Sequence, residues 1–167
     1  ESGKTVDVNA RPKGNQTITF EALSDRIYGD APFQLTATAS SGLAVSYSSS
    51  DPSVASVSGN ELIIHKTGTV EITASQPGND AYNAATAVVQ SLVINPKPIT
   101  VAAENKTKVY GEENPSLTYV YDGLVNGDTK TATEPAISTT ATAASGVGVY
   151  PISVSGAADA NYSISYA

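Results

Sequence analysis

The sequence predicts an all-β protein: two tandem Ig-like β-sandwich domains joined by a short Pro-containing linker. Short segments that alternate apolar and polar residues recur between turn residues, as they do in β-sandwiches. No window of the 167 residues has a helical period. A Tyr-Gly pair occurs at Tyr28-Gly29 and again at Tyr110-Gly111, 82 residues later, which is the length of one small domain.

Other landmarks recur at nearly the same spacing, which indicates an internal repeat. Residues 68–74 match residues 148–154, and residues 79–82 match residues 159–162, in both cases 80 positions later. The matched positions are turn residues and the apolar positions of strands, so both copies are predicted to share one topology. The residues predicted to form the structural repeat motif are Tyr28, Gly29, Pro32, Tyr82, Tyr110, Gly111, Pro115 and Tyr162.

The first repeat is predicted to contain six strands and one short, poorly phased piece. The strands are the alternating or apolar segments 16–20, 33–39, 45–47, 62–64, 70–74 and 85–94, and the short piece is 54–57. Turns are predicted where Gly, Pro, Asn and Asp cluster, at 28–32, 40–42, 50–53, 58–60, 66–68 and 77–80.

Residues 95–98 include two prolines and predict a short, semi-rigid linker. The second repeat is predicted to have strands at 99–101, 108–110, 117–121, 136–140, 150–154 and 162–166, with turns at 125–128 and 146–148. The predicted domains are therefore 15–95 and 96–167. Residues 1–14 are interpreted as a tail or as the remnant of a preceding repeat.

Composition narrows the functional classes. The chain has no cysteine, which excludes disulfides, thiol catalysis and thiolate metal sites. The net charge is −7 with no basic cluster, which argues against nucleic-acid and anionic-membrane binding. No apolar run is long enough to cross a bilayer. The chain also lacks methionine, so we expect a processed product or an excised piece.

No residue set suggests catalysis, a cofactor or a metal, and we expect no enzymatic activity. His65 is the only histidine, too few for a catalytic triad or a zinc site, and a surface or edge role is predicted. Calcium prefers six to eight oxygen ligands. The acidic candidates lack the spacing of a calcium loop and are predicted to lie in solvated turns; they are Glu104, Glu112, Glu113, Asp122 and Asp128.

The tyrosines that recur in the two repeats have two interpretations. A buried tyrosine whose hydroxyl bonds to nearby backbone, as in the tyrosine corner of Ig-like domains, explains the recurrence best. An exposed aromatic pair would instead form a platform for carbohydrate. An intramolecular isopeptide bond is not expected, because the candidate lysines Lys66, Lys106 and Lys108 flank turns.

The second repeat resembles the MBG domain of the YGX type, which occurs in tandem in large bacterial surface proteins. The resemblance is carried by residues 109–111, 114–119, 123–128, 147–152 and 161–164. The first repeat is similar to a bacterial Ig-like repeat of the invasin/intimin-related class, on residues 16–20, 49–55 and 68–74. Both resemblances imply β-sandwich spacers or adhesive modules without catalytic residues, and the MBG resemblance implies a final strand after Tyr166.

We therefore expect a non-enzymatic extracellular segment of a bacterial surface protein, either a spacer or stalk or an adhesion module. One alternative is a module that binds a host or community glycan or protein through loop tips at 76–82 or 122–130. Another is an accessory domain of a secreted hydrolase. The protein is expected to be mostly monomeric and not inserted in a membrane.

The ends of the chain suggest strand exchange between copies. Twelve residues follow Tyr82 before the first repeat's last strand ends at Ile94, but only five follow Tyr162. The counterpart of that strand is therefore predicted to be missing, which leaves an open sheet edge. Residues 4–9 of another molecule, with two valines, are a candidate donor strand for it. The alternative is that residues 1–14 are a disordered tail.

Overall fold

A computed structural model of the chain describes residues 11–167, which form fourteen strands and no helix. The predicted all-β class is therefore confirmed, and none of these residues forms a helix that could span a membrane. The candidate donor strand, residues 4–9, lies outside the described residues.

Nine strands precede Pro96 and five follow it. The first nine are β1 (Ile18–Thr19), β2 (Arg26–Ile27), β3 (Phe33–Gln34), β4 (Thr38–Ala39), β5 (Ser46–Ser49), β6 (Ala55–Ser58), β7 (Glu61–Ile64), β8 (Gly68–Ser75) and β9 (Val88–Asn95). The last five are β10 (Lys97–Ala103), β11 (Tyr119–Asp122), β12 (Ala136–Thr139), β13 (Ile152–Ser155) and β14 (Tyr162–Tyr166).

The strands belong to two compact units. Unit 1 contains the described residues 11–25 and 31–93, and unit 2 contains residues 26–30 and 94–167. The sequence placed residues 26–30 in the first domain, together with their neighbours. In the structure this short segment belongs to unit 2, although the chain on both sides of it belongs to unit 1.

Unit 1 is built from β1-β4, β3-β7-β6 and β9-β8-β5. Alternation along these strands places one face of each sheet in the core. The fully or almost fully buried apolar side chains are Leu35, Ala55, Leu62, Val70, Ile72, Ala74 and Leu92. The predicted loop at 58–60 is the turn of the β6–β7 hairpin, with Gly59 at a φ of 63°.

The predicted strand 33–39 is divided in two. β3 pairs with β7, whereas β4 pairs with β1, so the chain changes sheets between them. The intervening amides bond outside a ladder: Leu35 N–H donates to the Asn60 carbonyl at 2.7 Å, and Ala37 N–H donates to the Tyr47 hydroxyl at 2.6 Å. Strict alternation of residue types did not reveal this change of sheet.

Unit 2 is built around β10, which pairs antiparallel with β11 and parallel with β14. Two further pairs complete it, β12 with β13 and β2 with the end of β9. Of the predicted linker 95–98, only Pro96 lies outside the strands, because Asn95 ends β9 and Lys97 and Pro98 begin β10. Pro98 has no N–H, but it faces only β14, since pairing with β11 begins at Thr100.

The repeat is visible as the same parallel contact in each unit. Gly14 is bridged in parallel to Tyr82, and Lys97 is paired in parallel with Tyr162. In both cases the first residue donates its N–H to the carbonyl before the tyrosine, at 2.8 and 2.9 Å. The predicted match between residues 79–82 and residues 159–162 is confirmed here.

The turns that lead into these tyrosines also agree. The Asn79 side-chain oxygen accepts the Ala81 N–H at 2.8 Å, and the Asp159 carboxylate accepts the Asn161 N–H at 2.8 Å. Both are Asx turns, in which a short polar side chain replaces a backbone acceptor. Asn and Asp are interchangeable in this role, which explains why the repeat tolerates the difference.

The copies diverge at the Tyr-Gly segments. Residues 26–27 form β2 because they pair with Ile94 and Asn95 at the end of β9. Residues 108–110 were predicted as a strand but form none. Within the described residues of unit 2 no strand occupies the place of β9, so these backbone groups have no ladder to join.

Candidate functional site

An aromatic pair occupies the core of unit 2. The rings of Tyr28 and Tyr162 are each 5% exposed and meet edge to face, with centroids 5.4 Å apart and planes at 88°. We call the residues around Tyr28, namely Ile99, Val125, Asp128 and Tyr162, the tyrosine socket. Half-buried side chains that pack around it are Tyr121, Leu124 and Ile164.

Both phenol groups of this pair bond to one carboxylate. The Tyr162 hydroxyl donates to Asp128 Oδ2 at 2.6 Å, and the Tyr28 hydroxyl donates to the same oxygen at 3.2 Å. The Tyr162 oxygen also accepts the Val125 N–H at 3.1 Å. Buried polar groups destabilise a fold unless they are bonded in this way. The predicted buried tyrosine with a backbone bond is therefore confirmed for Tyr162.

A tight turn brings Val125 and Asp128 to the socket together. Asn126 and Gly127 have φ values of 58° and 81°, and the Asp128 N–H donates to the Val125 carbonyl at 3.0 Å. Two consecutive positive φ angles define a type I′ turn, for which Asn-Gly is the preferred pair. The predicted turn at 125–128 is confirmed, and it places an apolar side chain and a carboxylate side by side.

A second turn, at residues 27–30, positions Tyr28 in the socket. The Asp30 N–H donates to the Ile27 carbonyl at 3.0 Å, and the Asp30 carboxylate accepts the Ile27 N–H at 3.0 Å. Gly29 lies between them at a φ of 91°, which L-residues rarely adopt. A Cβ added to Gly29 would lie 2.5 Å from Val125 Cγ2, so the turn also fits closely against the socket.

Burial and the neighbouring carboxylate both act on Tyr162. Removal from water, followed by the hydrogen bond to Asp128, raises the pKa of the Tyr162 hydroxyl to about 12. Each effect disfavours the phenolate, which is desolvated and faces a negative charge. The socket therefore keeps a neutral, proton-donating phenol and holds it on Asp128 over the whole ordinary pH range.

The repeat-motif residues do not share one environment. Tyr28 and Tyr162 are buried, but Tyr110 is 67% exposed, so the expectation of a buried tyrosine is wrong there. Tyr82 is half-buried, and Pro32 is exposed. Tyr110 is not among the residues of the buried cluster in unit 2, which contains Tyr28.

Tyr110 instead lies beside a groove of about 590 Å³ in unit 2. Its lining includes Pro115, Tyr150 and two valines, Val147 and Val149, which are completely exposed. Scattered apolar residues are normal on a protein surface, but a group of them around one groove indicates a contact surface.

Three of the five acidic residues considered for calcium have separate partners. Glu104 forms an ion pair with Lys106 at 3.5 Å, Glu112 accepts the Val109 N–H at 3.3 Å, and Asp128 serves the tyrosines. Among residues 11–167, no three acidic or histidine side chains are grouped so that they could hold a metal ion.

The remaining candidates lie on the surface. His65 is exposed, as predicted, and its Nε2 lies 2.7 Å from the Ser56 hydroxyl. Lys108 donates its ammonium to the carbonyl oxygens of Glu112 and Thr142, at 3.0 and 2.6 Å. Lys108 therefore stabilises the turn at residues 109–112 by donating hydrogen bonds to backbone carbonyl groups.

Residues 99–167 match the family model of the MBG domain (YGX type). The matched region covers less than half of the chain, and it includes Tyr110, Gly111, Val125, Asp128 and Tyr162. The predicted MBG resemblance of the second repeat is confirmed. The resemblance of the first repeat to bacterial Ig-like repeats stays a prediction. Comparisons with curated proteins and with solved structures give no match.

The MBG region thus contains every socket residue, whereas the tyrosine that fills the socket comes from outside it. Sequence reasoning singled out Tyr28 and Tyr162, considered Asp128 only as a calcium candidate, and assigned no role around Tyr28 to Ile99 or Val125. The Asn126-Gly127 pair was the available sequence signal for the socket, because an Asn-Gly turn fixes the relative positions of the residues on both sides of it, here Val125 and Asp128.

The two Tyr-Gly glycines provide a matched pair of substitutions. Alanine at either position must adopt a positive φ, which costs about 1–2 kcal/mol. Gly29→Ala also drives a methyl group into Val125, whereas a Cβ at Gly111 meets nothing within 4 Å. We expect Gly29→Ala to destabilise unit 2 by an additional 1–3 kcal/mol or so in denaturant unfolding. Equal effects of the two substitutions would show that Gly29 does not approach the socket.

The raised pKa of Tyr162 makes the stability of unit 2 dependent on high pH. The unfolded phenol titrates near pH 10, whereas the folded one titrates near 12. Because the folded pKa is the higher one, this stabilisation is complete below pH 10 and is lost as the pH rises through 12. The loss is on the order of 2–3 kcal/mol.

Denaturant unfolding followed by circular dichroism between pH 8 and 12 measures this loss. Tyr162→Phe removes the titrating group, so the variant should lose less stability than the wild type over the same range. Other tyrosines and lysines titrate in both proteins and cancel in the comparison. Parallel curves for the two proteins would contradict the assignment.

Proposed function

We propose that the chain is a non-enzymatic extracellular segment of a bacterial surface protein, and that it acts as a spacer that bears tension along the polypeptide. The MBG match of residues 99–167 indicates a repeat module of bacterial surface proteins. Spacer, adhesive and extracellular roles are inferences from the fold and from the resemblance.

The observation that carries the proposal is the pairing of β10 with β14. These strands are parallel and in register over five residue pairs, from Lys97 with Tyr162 to Val101 with Tyr166. The chain enters unit 2 at the start of β10 and reaches its last described residues at the end of β14. Tension along the chain therefore pulls the two strands in opposite directions along their length.

This geometry loads the hydrogen bonds of the strand pair in shear. All the bonds between β10 and β14 must then give way together, whereas strands pulled apart from one end release their bonds one at a time. Unit 1 contains only an isolated parallel bridge of this kind among the described residues, in which Gly14 both donates to Ala81 and accepts from Asn83 at 2.8 Å, and the chain leaves unit 1 along β9. This resistance suits a spacer, which transmits force along the polypeptide.

Three of the carboxylates considered as candidate sites are engaged in the fold. Asp128 holds two phenols, Glu112 closes a turn, and Glu104 pairs with Lys106 while accepting the Thr118 hydroxyl. Such structural use of the carboxylates supports a non-enzymatic role. The net charge of −7 and the absence of cysteine suit an exposed, extracellular surface.

The loops suggested for ligand binding are also engaged. The 122–130 loop contributes Val125 and Asp128 to the socket. In the 76–82 loop, Gln76 is buried; it accepts from the Gln16 amide at 3.2 Å and donates to the Ala44 carbonyl at 2.9 Å. These contacts favour the spacer over glycan or protein binding at the tips. No observation favours an accessory domain of a hydrolase.

Single-molecule pulling in two directions tests the proposal. The chain has no cysteine, so handles can be attached at introduced ones. Lys97→Cys with Ala167→Cys loads β10 and β14 in shear, and Ala103→Cys with Ala167→Cys peels them from one end. We expect unit 2 to unfold at a several-fold higher force in the first geometry.

Both double variants should first be checked for unchanged thermal unfolding, so that only the direction of pulling differs. Similar unfolding forces in the two geometries would contradict a tension-bearing spacer. The tyrosine socket is intact in both variants, so the comparison reports on the strand pair alone.

A further inference from the structure

The two Tyr-Gly turns have the same local structure. In the second copy the Glu112 N–H donates to the Val109 carbonyl at 3.2 Å, and the Glu112 carboxylate accepts the Val109 N–H at 3.3 Å. Gly111 has a φ of 88°, close to the 91° of Gly29. Glutamate thus closes the second turn as aspartate closes the first, and each turn presents a tyrosine at its second position.

Their surroundings are opposite. Tyr28 is 5% exposed and fills the socket, whereas Tyr110 is 67% exposed. Gly29 lies so close to Val125 that no side chain fits, whereas a Cβ on Gly111 would meet nothing within 4 Å. Unit 2 therefore contains a second turn, Tyr110-Gly111, of the same shape as the turn that fills its tyrosine socket. The socket is filled by the first turn, Tyr28-Gly29, and the second turn stays exposed.

The exposed turn is held in place. The Gly111 N–H donates to the Ala143 carbonyl at 3.2 Å, and Asn114 donates its side-chain amide to the Ala141 carbonyl at 2.6 Å. The Lys108 ammonium also donates to the Thr142 carbonyl, so three consecutive carbonyl groups of residues 141–143 hold the turn in place. Tyr110 is thus presented in a fixed position, beside the groove whose valines are fully exposed.

The chemistry of the first turn identifies what the second turn fits. A phenol that becomes buried needs an acceptor, and a purely apolar surface would leave its hydroxyl unbonded. The tyrosine socket offers a carboxylate for the hydroxyl, an edge-to-face ring and a valine that packs on the glycine. A partner that receives Tyr110-Gly111 in the way that the socket receives Tyr28-Gly29 offers the same three groups.

We propose that the Tyr110-Gly111 turn docks into the tyrosine socket of a further MBG domain that follows unit 2 in the same polypeptide. Each such domain would then complete its core with a turn from a preceding part of the chain, and would present its own turn to the next domain. This inference rests on the proposed function as one segment of a longer spacer, because a further domain must be present for the turn to dock.

An extended chain provides the test. A second copy of residues 88–167 attached after Ala167 continues the repeat in phase, since Tyr162 lies 80 residues after Tyr82. The attached copy brings the β9 sequence and a socket whose Tyr28 counterpart is absent. We expect Tyr110 of the original part to fill that socket.

Two measurements report on docking. In the extended chain Tyr110→Ala should lower the folding equilibrium constant of the attached domain by on the order of 100-fold, as for a buried aromatic residue. In the 167-residue chain the same substitution should change stability by no more than about twofold. Val147→Ala, at a neighbour of Tyr110 in the same groove that is fully exposed in the 167-residue chain, is the control for a general effect of trimming the groove, and it should have a clearly smaller effect than Tyr110→Ala in the extended chain.

A fluorinated tyrosine at position 110 gives a direct readout that does not depend on stability. Its fluorine resonance should be protected from a soluble paramagnetic agent in the extended chain and exposed to it in the 167-residue chain. Exposure in both chains, or an equal effect of Tyr110→Ala in both, would overturn the proposal and leave the groove to another ligand. The pulling experiment uses the 167-residue chain and an undocked Tyr110, so either proposal can fail alone.

Discussion

The structure of unit 2 depends on a tyrosine that its continuous stretch of chain does not supply. Tyr28 fills the space between Ile99 and Tyr162, and Asp128 accepts the hydroxyl groups of both tyrosines. Ile99 lies in β10 and Tyr162 begins β14, so the aromatic contact sits where the parallel strand pair starts. The buried cluster at this point consists of Tyr28, Ile99 and Tyr162, so the ring of Tyr28 contributes to its stability through the apolar area that it buries.

The same contact links the fold to the proposed function. In the proposed spacer, the pairing of β10 with β14 resists tension while the strands stay in register, and the socket residues Ile99 and Tyr162 lie in the first part of each strand. Each domain's stability would then depend on the chain before it, which suits a tandem array better than an isolated binding module.

Much of this organisation could be predicted from the sequence, because it rests on local rules. Alternation and turn residues located most strands, and β14 was predicted with its exact bounds. The spacing between residues 79–82 and 159–162 correctly predicted two equivalent turns. Asn-Gly at 126–127 predicted a tight turn, since few other pairs accept two positive φ angles.

What the sequence could not show depends on contacts between distant residues. Tyr28 and Tyr110 lie in nearly identical motifs, and only the tertiary fold makes one of them core and the other surface. Residues 26–27 are a strand and residues 108–109 are not, because only the first pair has β9 beside it. The role of Asp128 was likewise hidden, because a carboxylate that follows a turn is usually solvated.

A double-mutant cycle between Tyr28 and Tyr162 measures the central contact most directly. Tyr28→Leu, Tyr162→Leu and the double variant are compared with the wild type by the free energy of unfolding of unit 2. Edge-to-face packing and the shared carboxylate should give a coupling of at least about 0.5–1.5 kcal/mol. A parallel cycle that pairs Tyr110 with Tyr162 should give none. Additive effects for Tyr28 and Tyr162 would contradict the account, because unit 2 would then not depend on the borrowed turn.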